Sequence, residues 1–155
     1  MLTQYRIQSA NTGRYISRGE LIKPDLYDVT AKEVKESSCT WTTTGTVSDG
    51  FQSELYQNPD DKSDKIIFFG NSTDNTKIVN GKSVTSLSAG DIHVFPPALF
   101  KFIKIGTVFG TTVYKIQHGR YRIATSNDDK SIVYYTEKDP DAQFTSEERF
   151  YLLAL

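Results

Sequence analysis

Short runs of alternating apolar and polar residues are the main pattern along this chain. The alternation is clearest in residues 5–8, 100–105 and 113–117, and each run places one face inward and one outward. Gly, Asn, Asp, Ser or Pro separate the runs at short intervals. The best helical candidate, residues 30–36, is too short and too polar to stand as a helix. The pattern therefore predicts an all-β protein.

Part of this pattern occurs twice. Residues 5–8 read YRIQ and residues 114–117 read YKIQ, and a turn and a Gly-Arg-Tyr sequence follow each of them. The separation between the two copies along the sequence is too long for a single structural unit, so we expect a more diverged copy between them. Its strands are predicted at residues 50–56, 65–69 and 100–105. We accordingly predict one domain made of three repeats, at about residues 1–46, 47–107 and 108–155.

Each predicted repeat ends with an aromatic strand, at residues 39–44, 100–105 and 149–154. Three four-stranded copies over this length resemble the β-trefoil. That resemblance implies six strands in a short barrel and six in hairpins that cap one end. A single pair of hairpins cannot bury its apolar face, whereas three copies around an axis share a core and remove the sheet edges. The expected core residues are Tyr5, Ile7, Tyr15, Ile16, Trp41, Leu55, Ile67, Phe102, Ile116, Ile123, Val133, Phe150 and Leu152.

Composition narrows the classes of function. The chain has 18 basic and 19 acidic residues, so no overall positive field draws it to nucleic acid. Cys39 is the only cysteine, which rules out an intrachain disulfide. No apolar stretch approaches the length of a membrane helix, and the first residues do not resemble a signal peptide. We expect a cytoplasmic protein without a membrane span, as a monomer or weak dimer.

Residues that could carry catalysis are few and scattered. His93 and His118 have no metal-ligand spacing around them, and no nucleophile elbow is present. Cys39 opens a strand that we expect to be buried. We therefore predict a non-catalytic protein with no cofactor and no metal.

Three polar segments have simpler interpretations as turns. Asn80 and Gly81 tolerate positive φ and lie between strand-forming residues, which predicts a type I′ hairpin turn rather than part of a phosphate loop. We interpret the acidic group at Asp60, Asp61 and Asp64 as a solvated loop, and the Asn71-Ser72-Thr73 sequon as a polar turn.

The remaining candidates are loops on a rigid scaffold. The chain is similar to the mushroom β-trefoil protease inhibitors in length and in having no disulfide. We expect a protease-binding loop at residues 18–26. Its candidate residues are Arg18, Gly19, Leu21, Ile22 and Lys23, with Arg18 as the cationic anchor for a trypsin-like serine protease; a cysteine protease is the other candidate target. Leu21 and Ile22 either stay exposed or fold back onto the barrel.

The ricin-B-like lectins are the second family that the chain resembles. Their Gln-x-Trp motif is absent, and Cys39 stands where the glutamine before Trp41 belongs. A glycan site would need an aromatic face beside polar groups, which suggests Asp128, Asp129, Tyr134 and Tyr135. We rank a fungal-type protease inhibitor first, a glycan-binding lectin second and a cytoskeletal or signalling binding protein third.

Overall fold

The computed structural model describes residues 3–57, 65–70, 73–139 and 141–155. Asp60, Asp61 and Asp64, and Asn71 and Ser72 of the sequon, lie outside the described residues.

The described residues form fourteen strands and two short 3₁₀ helices. The first repeat contributes β1 (Thr3–Ser9), β2 (Tyr15–Lys23), β3 (Leu26–Lys32) and β4 (Thr40–Thr43). The second contributes β5 (Gln52–Ser53), β6 (Lys65–Phe68), β7 (Thr76–Val79), β8 (Lys82–Thr85), β9 (Ser88–Asp91) and β10 (Phe100–Val108). The third contributes β11 (Thr111–His118), β12 (Tyr121–Thr125), β13 (Val133–Glu137) and β14 (Phe150–Ala154). The 3₁₀ helices are Ser37–Cys39 and Ser146–Glu148.

Six strand segments close into a barrel. β1 pairs with β4 and with β14, β14 pairs with β11, and β11 pairs with β10. β10 pairs with β5, and the bridge between Thr42 and Tyr56 joins the segment after β5 back to β4. Because every barrel strand has a neighbour on both sides, the ring leaves no open edge for another chain to join.

The predicted equivalence of Tyr5 and Tyr114 is confirmed by the strand register. Tyr5 pairs with Trp41 in the last strand of its repeat, and Tyr114 pairs with Phe150 in the last strand of its own. Both tyrosines are buried. Their partners, Trp41 and Phe150, differ in type but occupy equivalent positions in the barrel, as an internal repeat requires.

Three hairpins, β2–β3, β6–β9 and β12–β13, cap one end of the barrel. Val29 donates its N–H to the Leu87 carbonyl at 3.2 Å, and Leu87 donates to the Val133 carbonyl at 3.2 Å. These three residues occupy equivalent positions and are fully buried. The hairpins thus meet around the pseudo-three-fold axis, and their inner side chains continue the barrel core.

The core prediction is confirmed for twelve of the thirteen residues, which are buried. The exception is Leu152, which is partly buried and packs against the core. Ile7 in β1, Leu55 just after β5 and Ile116 in β11 all belong to the central core. Sequence alternation predicts such inward positions because one face of each strand must point inward.

The second repeat contains an extra hairpin, β7–β8, which forms a separate two-stranded sheet. Its turn has φ of 52° at Asn80 and 75° at Gly81, so the predicted turn is confirmed. Asn75 donates to Asp28 Oδ1 at 3.0 Å, and Lys77 Nζ lies 2.8 Å from Asp28 Oδ2. These contacts fasten the extra hairpin to β3.

The repeat boundaries at residues 46/47 and 107/108 stay predictions. Residues 30–36 form no helix, since β3 continues to Lys32. Within the described parts of the chain, no helix has the length and apolar character needed to span a membrane.

Candidate functional site

The segment predicted as a protease-binding loop is part of a long hairpin, and the prediction of a loop is wrong. β2 continues to Lys23 and β3 begins at Leu26, so only Pro24 and Asp25 form the turn. The register between the strands shifts after Arg18 and again after Leu21. Such bulges let the hairpin bend and twist while the strands stay paired, so the turn-rich sequence does not end the strand.

Arg18 is not an exposed loop residue. It pairs with Val29 across the hairpin and is partly buried, and its guanidinium lies 5.3 Å from the centre of the Tyr27 ring. The next residue, Gly19, packs closely against β3, because a Cβ there would lie 3.2 Å from Thr30 Cγ2. This placement contradicts the expectation that Arg18 is presented on a loop as a free cationic anchor.

The apolar pair at the end of β2 is exposed. The exposed fractions of Leu21 and Ile22 are 56% and 43%, so the two side chains do not fold back onto the barrel. Lys23 Nζ lies 2.9 Å from Asp74 Oδ1, which ties the end of the strand to the second repeat. Among the described residues, β2 pairs with β1 only at Tyr15, so its outer half has a strand partner on the β3 side alone.

The predicted sugar-stacking face at Tyr134 and Tyr135 is wrong because both rings are buried. Tyr135 lies in the central core, and its hydroxyl is 3.4 Å from the Phe68 carbonyl oxygen. Tyr134 packs with Val79, and its hydroxyl donates to Glu147 at 3.0 Å. Burial and the nearby carboxylate of Glu147 raise the pKa of Tyr134. The β7–β8 hairpin covers the strand face that alternation alone assigned to solvent.

Asp128 and Asp129 are exposed; the carboxylate of Asp128 contacts the β7–β8 turn, and that of Asp129 supports its own loop. The Asp128 carboxylate accepts the backbone N–H of Asn80 at 3.3 Å. Asp129 Oδ1 accepts the hydroxyl of Ser131 at 2.6 Å and its backbone N–H at 3.0 Å. These two bonds from Ser131 lower the pKa of Asp129. The two tyrosine rings and the two carboxylates therefore do not share one open face.

A groove of about 450 Å³ lies on the outside of the barrel. The turn after β1, the outer half of β10 and the segment before β14 form its walls. We call it the Arg149 groove, and its polar and aromatic lining comprises Asn11, Thr107, Phe144, Ser146, Arg149 and Tyr151.

A buried ionic cluster holds the segment before β14 in place. Glu148 has no solvent exposure, and its carboxylate lies 3.0 Å from Arg122 Nη1 and 2.7 Å from Lys138 Nζ. Its second oxygen also accepts the backbone N–H and the hydroxyl of Thr145 at 2.9 and 2.6 Å. Burial by itself raises the pKa of Glu148, but these hydrogen bonds outweigh it and lower the pKa to about 2. The wall of the Arg149 groove is thereby fixed.

Sequence reasoning missed this groove because its lining comes from three distant parts of the chain. No local motif connects Asn11, Thr107 and Arg149. A second missed feature is Phe109, which is fully exposed with φ of 50° at the tip of the β10–β11 hairpin. A Phe-Gly pair between two alternating runs was the available signal for this turn.

The residues considered for catalysis lie apart from one another in the fold. Cys39 is buried, and the Nδ1 of His118 lies 3.0 Å from the carbonyl oxygen of Leu99. His93 lies in the turn after β9. Within the described residues, no group of three or more His, Cys, Asp or Glu side chains could hold a metal ion.

Comparisons with known proteins identify the architecture. No family model matches the chain, and no curated protein matches it. Among solved structures, the designed 3-fold symmetric protein ThreeFoil is similar with a TM-score of 0.66 at 12% identity, over 98% of this chain and 99% of that one. A Caenorhabditis elegans protein with unknown function is similar with a TM-score of 0.56 at 8% identity, over 97% of this chain and 92% of that one.

The match to a three-fold symmetric protein over nearly the full length agrees with the closed barrel and its three capping hairpins. The chain is therefore a β-trefoil, as the internal repeat predicted. At these low identities the similarity establishes the fold alone.

Proposed function

We propose that this β-trefoil is a non-catalytic binding protein that inhibits a protease through the outer half of the β2–β3 hairpin. The observation that carries the proposal is the exposure of Leu21 and Ile22 side by side on a strand. Exposed apolar pairs on a rigid element are typical of contact surfaces for other proteins.

The backbone of this segment suits a protein partner. The outer half of β2 is extended and has a strand partner only on its β3 side among the described residues. An extended segment of this kind can add to the edge of a partner's sheet while its side chains enter alternate pockets. Because β3 and the Lys23–Asp74 ion pair already hold the segment, binding orders few groups and costs little entropy.

The structure changes the choice of anchor from the cation to the apolar pair. Arg18 packs over Tyr27, whereas Leu21 and Ile22 face solvent. We therefore favour a protease whose cleft accepts apolar side chains, and chymotrypsin and papain are suitable probes of the serine and cysteine classes. Trypsin, which requires a cationic anchor, serves as the contrasting case.

The test compares inhibition constants for three variants. Leu21→Ser and Ile22→Ser should each raise the inhibition constant for chymotrypsin or papain by about tenfold or more, since a buried apolar anchor is worth about 2 kcal/mol. Val34→Ser is the matched control, because Val34 is equally exposed but lies outside the β2–β3 hairpin.

All three variants should keep the melting temperature of the parent protein, because the substituted side chains are largely exposed. The absence of inhibition of all three proteases at micromolar concentration would falsify the proposal. Equal effects of Leu21→Ser and Val34→Ser would also contradict it.

A further inference from the structure

The Arg149 groove combines one cation with hydroxyl, amide and aromatic groups. Among the described residues that line the groove, Arg149 alone carries a charge. It is exposed, and its guanidinium forms no ion pair with a described residue. A guanidinium presents donors in a planar fork that matches a carboxylate.

The nearest buried carboxylate does not compete for Arg149. Glu148 precedes Arg149, but its carboxylate is buried and already accepts bonds from Arg122, Lys138 and Thr145. The Phe144 ring lines the groove, and Lys115 Nζ lies 4.3 Å from the centre of that ring. Arg122 lies 5.1 Å from the same ring. Among the described residues, the lining therefore holds no carboxylate that opposes an anion on Arg149, and the ammonium of Lys115 lies against the Phe144 ring.

The rest of the lining suits a ring that carries hydroxyl groups. Tyr151 is partly buried beneath the groove, and Thr107 and Ser146 supply hydroxyls. Asn11 is held in place by a hydrogen bond to the Asn127 side chain, which leaves its own carbonyl oxygen as an acceptor. Aromatic rings pack against the C–H face of a sugar, while hydroxyl and amide groups bond to its hydroxyls. Volumes of this size are typical of sites for small ligands.

We propose that the Arg149 groove binds an acidic sugar, a pyranose that carries a carboxylate. The carboxylate pairs with Arg149, and the ring packs against Tyr151 with its hydroxyls directed to Asn11, Thr107 and Ser146. This site lies apart from the β2–β3 hairpin and does not depend on the proposed protease inhibition.

Titration calorimetry with glucuronate, glucose and glutarate tests the proposal. Glucuronate should bind about tenfold or more tightly than glucose, which lacks the carboxylate, and than glutarate, which lacks the ring. Arg149→Gln should remove the preference for glucuronate over glucose. Arg120→Gln is the matched control, because Arg120 is equally a surface arginine but lies at the β11–β12 turn outside the groove, and it should change nothing.

Three results would overturn the proposal. They are no saturable binding of glucuronate at millimolar concentration, unchanged glucuronate affinity in Arg149→Gln, and glutarate or a glutamate-rich peptide binding as tightly as glucuronate. The last result would make the groove a general carboxylate or peptide site. Because Arg149 is exposed, Arg149→Gln should keep the parent's melting temperature. A lower melting temperature would show that the variant is unfolded rather than impaired in binding.

Discussion

The capping hairpins of the first and third repeats have the same place in the architecture but opposite surroundings. Val29 in β3 and Val133 in β13 occupy equivalent buried positions around the axis. The far end of β2–β3 nevertheless exposes Leu21 and Ile22, whereas Tyr134 and Tyr135 of β12–β13 are covered on both faces. The β7–β8 hairpin covers the outer face of β13, where Val79 packs against Tyr134, while Tyr135 on the other face belongs to the central core. The same hairpin contacts β3 at Asp28 and leaves Leu21 and Ile22 exposed.

The third repeat has a second support that the first lacks. Arg122 in β12 is buried against Glu148 and also donates to the carbonyl oxygens of Ala142 and Gln143. This cluster fastens the segment before β14 under the hairpin. One copy of a repeated unit can thus be covered on both faces and held by a buried ion pair, while another copy leaves an apolar pair exposed to solvent.

Loss of the buried carboxylate of Glu148 should lower the stability of the third repeat more than any other change considered for the two hairpins. Glu148→Gln leaves Arg122 buried without its counter-charge, and we expect the free energy of unfolding to fall by about 3 kcal/mol. Urea unfolding measures the change. Glu137→Gln is the control, because Glu137 lies on the surface 3.9 Å from Arg120, and its effect should stay under about 0.5 kcal/mol. Similar losses in both variants would show that the cluster does not support the third repeat.

Acid should remove the same support in the parent protein. The pKa of Glu148 is lowered from 4.5 to about 2, so its contribution is complete above pH 4.5 and is lost as the pH falls towards 2. We expect the parent to lose about 2 kcal/mol more than Glu148→Gln between pH 5 and pH 3, pH values chosen to bracket the titration of the unfolded carboxyl. Parallel stability curves for the two proteins over that range would contradict the prediction.

Truncation of the covering hairpin should have a smaller effect. Val79→Ala removes apolar contact with Tyr134 and Ile132 and should cost about 1.5 kcal/mol. Ile78→Ala on the same strand and Leu21→Ala on β2 are the controls, because both side chains are exposed and should each cost less than about 0.5 kcal/mol. Thermal unfolding distinguishes these outcomes, and a loss in Leu21→Ala as large as in Val79→Ala would abolish the contrast between the two hairpins.

The predictions of candidate sites failed where segments that are distant in the sequence pack over the predicted surface. The alternation around Tyr134 and Tyr135 correctly indicates a strand, but it cannot reveal that Val79 packs on the outer face. The sequence analysis predicts a loop at residues 18–26, whereas pairing with β3 and two bulges keep the strand extended to Lys23. No local sequence motif indicates the Arg149 groove, because its walls meet only after the barrel closes.

Consecutive residues predict the all-β class, the repeat that relates Tyr5 to Tyr114, the turn at Asn80 and Gly81, and nearly all of the core. These features follow from local preferences and from which face of a strand must be apolar, and both are written in consecutive residues. Which surfaces stay open depends on tertiary packing, from the covered face of β13 to the exposed pair on β2 and the guanidinium of Arg149, which pairs with no carboxylate among the described residues. Exposure depends on which distant segments pack together, and no run of neighbouring residues encodes that choice.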